Sequence, residues 1–143
     1  MSGTKSANSD DDDEIYNIAS GFLTILKGVY GDKMFFDNFY RTFFQLSPES
    51  IRRFKDQDAQ SRALNGLIST LISCETDKKK FKYKLMGIRR MHQDMQINPL
   101  EISKFLQAFK ICLLIKDKTI SSAFLEKSVS NVETYMTANC TLI

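Results

Sequence analysis

The stretch Ile88-Arg-Arg-Met-His92-Gln-Asp-Met-Gln-Ile97-Asn-Pro99 decides how this chain is read, because it holds the only histidine among 143 residues. Leu85, Ile88 and His92 recur at helical spacing, so the imidazole falls on the apolar face of a predicted helix over residues 78–93. Asn98-Pro99-Leu100-Glu101 then starts another helix, with a capping Asn, Pro at the first helical position and an acid that completes a capping box. A lone histidine on an apolar helix face is more often a hydrogen-bonded core residue than a ligand. The segment alone therefore leaves both readings open.

The rest of the chain has helical period throughout. A first helix over 14–29 carries Ile15, Ile18, Phe22, Ile25, Leu26 and Val29 on one stripe, with Gly28 and Gly31 punctuating its end. Asp32 caps a second helix, through residue 45, whose Phe35, Phe36, Phe39, Tyr40, Phe43 and Phe44 leave little of its circumference polar, so it should be largely buried. Ser47-Pro48-Glu49 signals a short helix leading to Phe54, followed by the polar connector Lys55-Asp-Gln-Asp58. A long helix over 59–74 presents Gln60, Leu64, Leu67, Ile68 and Leu71, with Gln60 the one polar group on that stripe. Beyond the histidine, a helix over 99–116 turns Ile102, Phe105, Leu106, Phe109, Cys112 and Leu113 inward. A weaker pattern over 119–138 carries Phe124, Leu125, Val129, Val132 and Met136. No stretch alternates with period two, so the class is all-α, a single domain over 14–143 behind an acidic tail, residues 1–13, expected to be disordered.

Composition narrows the partners. A net charge of +3 is too mild to argue for nucleic acid or a membrane surface. The polar N-terminus and the lack of a long apolar run lead us to expect a cytoplasmic protein. Cys74, Cys112 and Cys140 show no C-x-x-C spacing and read as reduced thiols rather than a disulfide or zinc site. Eleven Phe and no Trp are more flat rings than a small helical bundle needs, which suggests a planar group for them to pack on. The run Asp10–Asp13 reads first as a helix-capping charge cluster.

Taken in order, these landmarks resemble the globin family. Phe39-Tyr40, Pro48, Phe54, Gln60, Leu64, His92, Ile97 and Pro99 match, in sequence and spacing, that family's distal aromatic, its short third helix, its Phe on the haem, its distal residue with an apolar neighbour, and its proximal His with the following Ile/Val and Pro. The spacing from Gln60 to His92 is similar to that in bacterial single-domain globins and the globin part of flavohaemoglobins. The match covers about residues 15–136.

The resemblance implies a globin fold of about six to seven helices around haem b, with His92 as proximal iron ligand. Phe54, Ile88, Ile97 and Phe105 would line the plate, while Phe43 and Phe44 are plain core. A neutral imidazole suits iron, and its second nitrogen usually donates to a nearby carbonyl. Tyr40 and Gln60 admit three readings. They satisfy each other, or Tyr40 reaches a backbone carbonyl, or, as the resemblance implies, Tyr40 donates to bound O2 with Gln60 in support and Leu64 as an apolar wall. The basic run Lys78, Lys79, Lys80, Lys82, Lys84, Arg89 and Arg90 is mostly a solvated face, with Lys84 and Arg89 the candidates for haem propionates.

The chain departs from flavohaemoglobins where a Tyr and a late Glu polarise the proximal His. The corresponding positions here are Ile102 and the neighbourhood of Leu142, with no acid, which weakens the case for peroxide chemistry. No second histidine exists to close the sixth position. The expected function is reversible binding of O2, CO or NO for storage, transport or sensing. Nitric oxide dioxygenation with an external electron-donating reductase is the alternative, and a haemless sensor-type interaction module the third reading.

Overall fold

The computed structural model describes residues 21–137, with only the backbone of Glu75. The expected acidic tail, Ile15, Ile18 and Cys140 lie outside the described residues. Every described element is helical: α1 (21–29), α2 (Lys33–Leu46), a 3-10 helix (Pro48–Arg53), α3 (Gln57–Thr76), α4 (Lys78–Asp94), α5 (Pro99–Lys116) and α6 (Ser122–Thr137). The described residues form an all-α fold of seven helices. No helix among the described residues is long and apolar enough to cross a membrane.

The starts follow from local chemistry. The carboxylate of Asp32 accepts from the backbone N–H groups of Met34 and Phe35 at 3.0 and 3.3 Å, satisfying two of the donors a helix N-terminus leaves free. Asp56, Asp77 and Ser121 cap α3, α4 and α6 through Ala59, Lys80 and Phe124 in the same way. Asn98 caps α5 through the N–H of Leu100 at 2.8 Å, with Pro99 in its first turn.

Two expected caps are built differently. Ser47 makes no side-chain cap; its hydroxyl is buried, donating to Glu49 Oε1 at 3.0 Å and accepting from Ser50 Oγ at 2.7 Å. The segment behind it tightens into a 3-10 helix rather than an α-helix. Glu101, expected to complete a capping box with Asn98, turns its carboxylate to Arg53 Nε at 3.0 Å. An ion pair to a guanidinium outweighs one neutral backbone donor.

The core is held by pairing of α2 with α5, α5 with α6 and α3 with α4. Cys112 Sγ rests between the carbonyl of Asn38 and the hydroxyl of Thr42, and Phe35 meets Phe109 edge-on at 6.1 Å, tying α2 to α5. The surplus of rings is largely accounted for by rings meeting rings. Phe39 contacts Tyr40, Phe43 and Phe105, and Phe43 also contacts Phe54, with centroids 4.7–5.9 Å apart. Such contacts each add about 0.5–1.5 kcal/mol beyond area burial. The aromatic count therefore does not by itself require a planar guest.

α4 and α5 are joined by a tight bend. The N–H of Ile97 donates to the carbonyl of His92 at 3.0 Å. Gln96 takes a left-handed φ of 54°. His92 lies in the last turn of α4 before this bend and Glu101 in the first turn of α5 after it.

Candidate functional site

A cavity of about 140 Å³, partly open to solvent, lies between the 3-10 helix, α3, α4, α5 and α6. That is below the roughly 300–1,000 Å³ usual for a cofactor or small-molecule site. Its wall is apolar over most of its extent, with Phe43, Phe54, Ile88, Ile97, Ile102 and Phe105 prominent. Exposed Arg62 and Met91 mark where it meets solvent.

The wall has four polar side chains: Arg62, Thr70, His92 and Glu101. Thr70 donates its hydroxyl back to the carbonyl of Gly66 at 2.7 Å, and Glu101 is paired with Arg53. Arg62 lies 3.7 Å from Asp58 with both side chains largely in water, a pairing worth about 0–1 kcal/mol. His92 differs from all of these. Its Nδ1 is buried and bonded to nothing. Burial lowers the imidazole pKa below its ordinary 6.5, partly opposed by the negative charge of Glu101, so the ring is neutral at pH 7.

Five residues singled out from the sequence, Phe54, Ile88, His92, Ile97 and Phe105, therefore share one cavity. All five are only partly buried, which distinguishes them from the sealed core. Phe54 and Phe105 stack at 6.2 Å with an interplanar angle of 29°, presenting aromatic surface on one wall. Phe43, read as plain core, is both buried in the core and part of that wall.

Tyr40, Gln60 and Leu64 are placed elsewhere. None of them lines the cavity. The Tyr40 hydroxyl donates to the main-chain carbonyl of Gln60 at 2.7 Å, and Gln60 Nε2 donates to the carbonyl of Phe54 at 2.8 Å. The second of the three sequence readings describes this arrangement. The pair ties α2 to the start of α3 and to the end of the 3-10 helix. Burial raises the Tyr40 pKa, so the phenol stays protonated. Leu64 is wholly within the core.

Lys84 and Arg89 also stand off the cavity. Lys84 Nζ donates to Ser69 Oγ and, at 3.4 Å, to the Ser69 carbonyl. The Arg89 guanidinium lies 5.1 Å above the ring of Tyr135. The cation that does line the cavity is Arg62, which sequence reasoning did not single out; its position two after Gln60 on α3 was the available signal. Glu101 was seen only as a cap, and Arg53 not at all.

Among the described residues no three His, Cys, Asp or Glu side chains gather around a common point, so no multi-ligand metal centre is built there. Haem needs one protein ligand at minimum. The wall has the kinds of group a haem would need, with stacked rings, a neutral imidazole and one cation at the mouth, but the enclosed space of about 140 Å³ is smaller than such a plate, so uptake would require the walls to move apart. No known protein family, curated protein or solved structure matches the chain.

Proposed function

We propose that the chain is a haem-binding globin in which His92 supplies the axial nitrogen. The observation that carries this reading is the buried, unpartnered Nδ1 of His92 on an otherwise apolar cavity wall. A buried polar group without a partner costs about 1–3 kcal/mol, an arrangement that folding alone does not favour. Burial keeps the ring neutral, the form that ligates a metal. Phe54 and Phe105 offer ring faces, Ile88 and Ile97 offer aliphatic edges, and Arg62 at the mouth supplies a charge for a carboxylate. Haem, when bound, supplies the reversible capture of O2, CO or NO. Tyr40 and Gln60 can serve a captured gas only by leaving the carbonyls they now hold.

Titration of the purified protein with haemin tests the reading. The expected result is an intense Soret band at one equivalent, lost or displaced in His92→Ala. A wild-type protein that takes up no haemin, or a His92→Ala variant with an unaltered spectrum, would overturn it.

A further inference from the structure

The cavity between the 3-10 helix, α3, α4, α5 and α6 encloses about 140 Å³. An apolar cavity of about 150 Å³ in a protein core takes up a single benzene ring. This one therefore matches one six-membered ring as it stands, before any wall moves. Phe54 and Phe105 stack on one side of it and offer a further ring an offset or edge-on seat. Entry needs no new opening, because the cavity already meets solvent beside Arg62 and Met91.

Size selects a ring, and the polar groups on the wall select what the ring carries. Thr70 is bonded to Gly66 and Glu101 to Arg53, so neither calls for a partner. Among the described residues on the wall, only His92 keeps a buried nitrogen that no protein group meets. A ligand hydroxyl can meet an imidazole nitrogen as donor or as acceptor, whichever tautomer is present. A charged ligand is disfavoured. It would lose its hydration against an apolar wall, and Arg62, the cation at the mouth, is itself largely in water. We propose that the cavity, in haem-free protein, is a binding site for one neutral monocyclic phenol, with its ring against Phe54 and Phe105 and its hydroxyl on the His92 imidazole. The site occupies the same cavity as the haem reading but does not rest on it.

Titration of haem-free, ¹⁵N-labelled protein with phenol, benzene and benzoate tests the site, because the ring nitrogens of the only histidine give unique signals. Phenol should saturate one site about two- to tenfold more tightly than benzene, the advantage of one neutral hydrogen bond. It should also move the His92 nitrogen signals further than benzene does, and benzoate should bind more weakly than either. His92→Leu keeps the wall apolar and should reverse the order, with benzene the tighter ligand once the hydroxyl has no partner. Gly66 supplies a block that leaves His92 in place. It lies on the wall, and a Cβ built there meets nothing within 4 Å, so Gly66→Leu adds bulk without a clash and should weaken phenol and benzene alike. Should His92→Leu not fold, the wild-type order and Gly66→Leu still decide. Phenol that does not saturate, that binds no better than benzene, or that is undiminished in Gly66→Leu would overturn the proposal. A protein that takes up phenol but no haemin would overturn the haem reading and leave this site standing; haemin uptake without saturable phenol binding would do the reverse.

Discussion

The two ends of the 3-10 helix's surroundings treat their polar groups in opposite ways. On the α2–α3 side, Tyr40 donates to the carbonyl of Gln60 and Gln60 donates to that of Phe54, beside the ring cluster of α2. On the α4–α5 side, the wall around His92 is partly open and the buried ring nitrogen has no partner. The first region has its polar groups met by backbone carbonyls. The second keeps a ring nitrogen that no protein group meets. A buried polar group without a protein partner calls for a water, an ion or a ligand.

Mutations on the two sides should separate accordingly. Phe39 is fully buried among rings, and Phe39→Ala should cost about 3–5 kcal/mol of stability in denaturant unfolding. His92→Phe should do the reverse in haem-free protein, raising stability by about 1–3 kcal/mol as the bare nitrogen is removed, while haemin uptake fails. A loss of stability in that variant would place His92 with the sealed side. Tyr40→Phe leaves the Gln60 carbonyl without its donor and should cost about 0.5–1.5 kcal/mol. On the present geometry its O2 release rate should match wild type in stopped-flow measurements. Release faster by about ten- to a hundredfold would show the tyrosine exchanging its carbonyl for the gas, and would blur the contrast.

Acid should also distinguish the regions. The His92 pKa is lowered in the folded state, so below the ordinary 6.5 the unfolded chain binds the extra proton first. Stability of haem-free protein should therefore fall as pH drops from 6.5 toward the folded value, and no further below it. His92→Phe should remove that slope, which thermal unfolding at a series of pH values would show. The smallest effect is at the mouth. Arg62 is exposed, so Arg62→Gln should leave stability within about 0.5 kcal/mol and weaken haemin binding only a few-fold.

The sequence shows clearly whatever is encoded within a few residues of itself. Asp32 as a cap, Asn98-Pro99 as a helix start and the helical stripes of α2, α3 and α5 are all local, and the structure has them. The cavity wall was legible for a related reason: Phe54, Ile88, His92, Ile97 and Phe105 each carry a recognisable neighbour, such as the proline or the capped restart nearby. What escaped is long-range and without periodicity. Nothing around Arg53 says that Glu101 will be its partner, so the acid reads as the last member of a capping box until the pairing is seen. Tyr40 and Gln60 were flagged by being polar on apolar stripes, but whether a phenol meets a side chain, a carbonyl or a ligand depends on rotamers that spacing does not encode. The choice between a 3-10 and an α-helix after Pro48 is likewise decided by the buried Ser47–Ser50 contact and not by the start signal.

Gln96 holds its backbone at φ 54°, a region that disfavours a residue with a side chain by roughly 1–2 kcal/mol. That torsion sets the angle at which the chain leaves α4 and enters α5. A glycine there would relax the local strain and, by the same freedom, loosen the corner: the chain would gain ease at the bend and lose a fixed heading into α5.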